Sequence, residues 1–167
     1  MSRESGNWAA DLARYPRGSL LVQPALWAIG IYRFGRWTLD CEPLVRKPAH
    51  AAYFVLYSAV RLLTGIDIPR SVIIGPGLMI HHFGGIIVNP QVRMGPHCTL
   101  RHGVTLGNRT GDDDVPVLGQ GVEVGAYAQI LGRVKVGDGA TVGALSLVLS
   151  DVPPNCTAVG SPARVIE

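Results

Sequence analysis

From residue 66 onward the apolar positions recur every six residues. Blocks run 66–71, 72–77, 78–83, 86–91, 92–97, 98–103 and 104–109, and resume as 116–121, 122–127, 128–133, 134–139, 140–145 and 146–151. Their third positions are Ile68, Ile74, Ile80, Val88, Met94, Leu100, Leu106, Leu118, Val124, Ile130, Val136, Val142 and Val148, all thirteen apolar and none aromatic. The fourth position is glycine seven times, at Gly75, Gly95, Gly107, Gly119, Gly125, Gly137 and Gly143. The pattern predicts short strands turning at tight corners, with one side chain per block inside a narrow prism. Mid-sized aliphatics fit that interior, and glycine suits a corner where a Cβ would be crowded or φ positive. Three blocks close a triangular coil of about eighteen residues, and coils stack ~4.8 Å apart with parallel pairing. This is the hexapeptide β-helix class. Its coils are usually left-handed, against the right-handed crossover rule. A left-handed parallel β-helix is therefore expected, an all-β domain with a small N-terminal α-helical region.

Two interruptions break the count. Gly84 and Gly85 add two residues, and 110–115 (TGDDDV) replaces a block with an acidic stretch that reads as an extruded loop. Insertions on one face of a solenoid are often the functional ones. Before residue 66 the pattern is helical. The run 20–39 carries Trp27, Tyr32, Phe34 and Trp37 and is interrupted by Pro24; 49–63 follows Pro48 and ends at Gly65. Neither run approaches the ~18–20 apolar residues of a spanning helix, and the first residues lack a signal-peptide core. The expected organisation is a helical region 1–65, a β-helix 66–151 with a loop at 110–115, and a tail 152–167. The helices pack on the β-helix or between subunits. Alternatively they lie peripherally on a membrane, with Arg33, Arg36, Arg46 and Lys47 near anionic lipid.

Composition narrows the class. With 47% hydrophobic and 16% charged residues, disorder is excluded. Cys41, Cys98 and Cys156 form neither a disulfide framework nor a zinc pair, so a cytoplasmic setting is expected, with the inner membrane surface as a further possibility. Residues 1–65 carry a net charge of +4 and residues 66–167 of −1. The repeat region has no basic stripe with stacking aromatics, which excludes a nucleic-acid partner.

The six-residue count also places chemistry. His82 and His102 are each the fifth residue of their block, three blocks apart once Gly84 and Gly85 are set aside. They should stack one coil apart on one edge, with His81 beside Arg101. Asp67 is two blocks before His82, near a shared corner. A turn-position histidine lies outside the packed interior, so His82 is a candidate general base with Asp67 as its orienter. An imidazole titrating near pH 7 suits deprotonation of a hydroxyl. His102 would orient an acceptor or support His82.

The segments GIDI (65–68), GLMIHHFGGIIV (77–88), LRHGVTLGN (100–108), VEVGAYAQILG (122–132) and VPPNCTAVGSPARVI (152–166) resemble the serine O-acetyltransferase family of hexapeptide acyltransferases. Within it the chain looks most like the short members of capsule and exopolysaccharide biosynthesis, the colanic acid type included. The resemblance implies acetyl transfer from acetyl-CoA to a hydroxyl by direct attack on the thioester. The family's catalytic histidine falls on His82 and its aspartate partner on Asp67. A family aspartate is here His81, and the histidine after I-D-I is Pro69. The D-R-H-P loop that holds serine's carboxylate falls on Asp114, Val115 and Pro116, without its arginine and histidine. The resemblance therefore implies a sugar or polysaccharide-precursor hydroxyl as acceptor, with His81, Arg101 and Asp114 on the acceptor side. It places coenzyme A against Gly107, Ala126 and Ala144. Thr141 replaces a family lysine, leaving the phosphates to Arg133, Lys135 or Arg164. It also implies a homotrimer with active sites between subunits, and no metal.

Two other readings stay open. One is serine O-acetyltransferase proper. The other is a zinc protein of the γ-type carbonic anhydrase kind, in which His97, His102 and His82 would meet between subunits.

Overall fold

The computed structural model describes residues 3–166. Residues 1, 2 and 167, the ends of the expected outer segments, lie outside it. From Ile66 the chain winds as a parallel β-helix with three faces. The first face holds β1 (Ile66–Asp67), β4 (Ile86–Val88), β7 (Thr105–Gly107), β10 (Gln129–Leu131) and β13 (Leu147–Val148). The second holds β2 (Ile73–Ile74), β5 (Arg93–Met94), β8 (Val117–Leu118) and β11 (Lys135–Val136). The third holds β3 (Met79–His81), β6 (Thr99–Arg101), β9 (Glu123–Val124), β12 (Thr141–Val142), β14 (Thr157–Gly160) and β15 (Ala163–Ile166).

All thirteen third-position side chains are buried, none more than 5% exposed. The first position of each block is buried too, from Ile66, Val72 and Leu78 to Ala128, Ala140 and Ser146. Two side chains per block thus point inward, not the single one that the pattern predicts. The fourth-position glycines lie where coils touch: a Cβ at Gly75, Gly95, Gly125 or Gly137 would collide with the backbone of the next coil. Past residue 151, where the sequence predicts a tail, the winding continues. Val152 bridges Val136, β14 pairs with β12, and β15 folds back antiparallel on β14.

The helices are α1 (Arg3–Leu12), α2 (Ser19–Val22), α3 (Pro24–Leu39) and α4 (Pro43–Thr64). Pro24 and Pro43 open their helices, where the missing N–H costs nothing. Pro48, which the sequence places before a helix, lies inside α4. Gly65, at φ 65°, ends α4 and donates to the Arg61 carbonyl.

These helices cap the open end of the β-helix. The first coil has no preceding coil to satisfy its backbone, and an orphaned buried N–H or C=O is costly. Side chains fill the role. Tyr32 Oη donates to the Val72 carbonyl at 2.9 Å and accepts from the Ile74 N–H at 3.1 Å. Tyr15 Oη accepts from the Ile80 N–H at 2.7 Å, and Asp11 from the Leu78 N–H at 2.7 Å. Arg33, 3% exposed, pairs with fully buried Asp11 at 2.7 Å and donates to the carbonyls of Ile74 and Gly75. The outer face of α4 stays apolar and exposed at Leu44, Val55, Leu62 and Leu63. Among the described residues no helix is long and apolar enough to cross a membrane.

Candidate active site

The edge between the third and first faces carries a column of rings. His82 leaves β3 with φ 65° and is exposed. The His102 ring stands edge-on to it, centroids 5.7 Å apart at 83°. Tyr127 continues the column, 5.0 Å from His102 at 83°. Sequence reasoning missed Tyr127, which is the sixth residue of its block rather than the fifth. It arrives because Gly103 has no side chain: a Cβ there would run into the Tyr127 ring. His81 and Arg101 are register partners in β3 and β6. Burial, then the charges of Arg101 and His82, push the His81 imidazole below its ordinary value.

Asp67 lies on the first face, in register with Ile87 of the strand that follows His82. Its carboxylate accepts from the Tyr57 hydroxyl and sits 3.5 Å from Arg61, both on α4. Tyr57 stacks on Tyr53 at 5.3 Å, and Tyr53 Oη accepts from the Arg70 N–H. Burial and the neighbouring Asp67 carboxylate push the Tyr57 hydroxyl well above the usual phenol range. Among the described residues no hydrogen bond joins Asp67 to His82. Tyr57 and Arg61 lie ten and six positions before Asp67 on a helix, a spacing the hexapeptide count does not cover.

Two clefts flank the ring column. On the third face Arg101, Gly125, Ala126, Thr141, Gly143 and Ala144 line a groove whose floor of small residues leaves room for a thin chain. On the first face Gly107 shares a cleft with Tyr57, Arg61, Asp67, Asn89 and Asn108. The structure thus groups Arg101 with Ala126 and Ala144, and Asp67 with Gly107. Arg164 stands apart on β15, opposite Val159. His97 belongs to the edge between the second and third faces, where its carbonyl accepts from Arg14. Among the described residues no three His, Cys, Asp or Glu side chains gather as metal ligands.

Asp114 is engaged inside its own loop. Its carboxylate accepts from the Thr110 hydroxyl at 2.8 Å, the Thr110 N–H at 3.2 Å and the Arg133 N–H at 2.6 Å. The Thr110 bond is the main cause that holds its pKa below the usual carboxylate range. Val115 beside it is buried.

A profile of the bacterial transferase hexapeptide family (six repeats) matches residues 116–150. The chain is 38% identical over 150 residues to a serine acetyltransferase of Helicobacter pylori, covering 88% of this chain and 84% of that protein. It is 36% identical over 151 residues to the serine acetyltransferase of Synechococcus elongatus, covering 88% of this chain and 59% of that protein. The structure is similar to that of the Brucella abortus serine acetyltransferase in complex with coenzyme A, with a TM-score of 0.76 and 30% identity, over 98% of this chain and 66% of that one. The chain spans between half and three fifths of the length of several curated relatives that it matches, 52% and 59% in two cases.

These relatives overturn the sugar or polysaccharide-precursor acceptor, and with it the place in polysaccharide biosynthesis. That reading rests on the loop's missing arginine and histidine, at Asp114 and Val115. The Asp114 carboxylate closes its own loop through Thr110 and Arg133.

Proposed function

We propose a function from one premise: the chain belongs to the serine acetyltransferase family. It transfers the acetyl group of acetyl-CoA to the hydroxyl of L-serine, giving O-acetylserine and free coenzyme A. The observation that carries this reading is the identity kept along most of the Helicobacter pylori relative.

The chemistry follows from the ring column. His82, exposed on its edge, takes the proton of the acceptor hydroxyl as the oxygen attacks the thioester carbonyl. A backbone amide at a turn stabilises the tetrahedral oxyanion. As the C–S bond breaks, the thiolate of coenzyme A takes the proton back from His82. Asp67, held by Tyr57 and Arg61, supplies negative charge for the imidazolium that forms. The small-residue groove at Ala126 and Ala144 receives the pantetheine, Gly107 leaves space on the adjoining face, and Arg164, Arg133 or Lys135 meets the phosphates. His81 and Arg101 line the acceptor side. An edge column flanked by two open clefts is completed by a neighbouring subunit, so the working form is a homotrimer. The apolar outer face of α4 beside Arg46 and Lys47 supports peripheral contact with anionic lipid. Co-sedimentation with anionic vesicles but not zwitterionic ones tests that contact.

The deciding assay is thiol release from acetyl-CoA with L-serine against a panel of nucleotide sugars and oligosaccharides. Serine-dependent release is expected. Turnover with no preference for L-serine over the panel overturns the reading.

A further inference from the structure

One polar atom of the ring column is sealed. His102 Nδ1 is buried and has no hydrogen-bond partner among the described residues. Within a single protomer it is closed to a water-sized sphere, so substrate and a neighbouring subunit are shut out as well. A proton on that nitrogen would make it a buried donor with no acceptor, and orphaned buried N–H groups are the rarer and costlier kind. A bare lone pair is easier to leave unpaired. Nε2 is not sealed and has no hydrogen-bond partner among the described residues, so it is the free polar atom of the ring.

We propose that His102 is held as the neutral tautomer with its proton on Nε2, and that it donates this N–H to a substrate oxygen beside His82. The ring is fixed on both sides. His82 stands edge-on at 5.7 Å and Tyr127 edge-on at 5.0 Å. The Tyr127 N–H donates to the His102 carbonyl at 2.9 Å, and the side-chain-free Gly103 is the slot into which the Tyr127 ring fits. Tyr127 is therefore a positioning residue that acts through His102. The two histidines divide the work. With Nδ1 sealed and Nε2 already protonated, His102 accepts no proton and serves as a hydrogen-bond donor. His82 is the ring left to act as base. A neutral His102 also spares the His82 imidazolium a second positive charge at 5.7 Å. The tautomer stands on geometry alone; the identity of the substrate oxygen rests on the function proposed above.

Nitrogen-15 NMR of the histidine-labelled protein at pH 7 reads the tautomer directly. A protonated Nε2 and a bare Nδ1 are expected for His102. A protonated Nδ1, or an imidazolium, overturns the proposal whether or not serine is the acceptor. Kinetics test the donor. A glutamine amide reaches about where Nε2 lies, an asparagine amide about where Nδ1 lies. His102→Gln is expected to keep kcat within about 10-fold, and His102→Asn to lose about 100-fold, the scale of one transition-state donor. Equal loss in the two variants overturns the donor role. If L-serine gives no turnover, the function above fails. The same pair is then compared on the slow hydrolysis of acetyl-CoA, where water replaces the acceptor. Tyr127→Phe should leave the His102 signals unchanged, and Tyr127→Ala should mix the tautomers and lower kcat with KM little changed. Unchanged signals in Tyr127→Ala refute the positioning role.

Discussion

Replacing Arg33 with leucine removes the centre of the cap. The guanidinium holds Asp11 at 2.7 Å and donates to the carbonyls of Ile74 and Gly75 at 2.9 and 2.7 Å. Both charges are almost fully buried, at 3% and 0% exposure, so solvent screens neither. Burial alone would lower the Arg33 pKa; the hydrogen bond and charge of Asp11 outweigh it and raise it. Breaking such a pair from one side costs about 3–5 kcal/mol, because the remaining charge is stranded. Two carbonyls lose their donor as well, at about 1 kcal/mol or more each. The leucine returns part of this by burying apolar surface, so a net loss of about 4–5 kcal/mol is expected. At this chain length each kcal/mol moves Tm by about 2–4 °C, giving a fall of roughly 8–20 °C. Thermal unfolding followed by far-UV circular dichroism measures it. Adding Asp11→Asn should recover part of the loss, since the buried Asp11 charge is then gone and Glu4, the other acidic partner of Arg33, keeps Arg36 at 3.7 Å. A Tm within about 2 °C of the parent protein would refute the cap.

Three further outcomes are expected. His82→Ala should lower kcat by about 100- to 10,000-fold with Tm unchanged, since the side chain is exposed; turnover near the parent's sinks the base assignment. His81 has its pKa lowered below 6.5, by burial first, so the unfolded chain binds this proton more readily than the folded one. The contribution is full above about pH 6.5 and declines as pH falls below it. His81→Gln should flatten the slope of the urea midpoint on the acid side, and an unchanged slope argues against it. Burial pushes the Cys98 thiol up to about 11, so at pH 8 iodoacetamide should label part-exposed Cys156 and spare Cys98. Equal labelling in peptide mass spectra would contradict this.

The β-helix was legible because its third column is both aliphatic and inward, two properties that coincide from Ile68 to Val148. The first column was not. It holds aliphatics such as Ile66, Val72 and Leu78 but also Cys98, Pro116, Ala128, Ala140 and Ser146, and that mixture of sizes and polarities blurs the column although every member is buried. Counting in sixes put His82 and His102 on one edge, because register converts directly into distance along a regular coil. It missed Tyr127, whose place depends on a side chain that Gly103 lacks. It also missed the Tyr57 and Arg61 contacts with Asp67, and the cap made by Asp11, Tyr15, Tyr32 and Arg33. These join side chains to groups up to 67 positions away, and such pairings leave no period. Asp114 is placed on the acceptor side by resemblance alone, and its contacts with Thr110 and Arg133, inside and just beyond its loop, leave no signal in the sequence.

The reversal of β15 on β14 reaches beyond local packing. Every other strand pair in the stack is parallel, and a parallel stack is a template that can add like strands at an unpaired edge. On the third face the outermost strand runs the opposite way, so the parallel ladder that one coil after another repeats is not continued past β14. The coil repeat ends on that face by a change of strand direction, without any bulky plug.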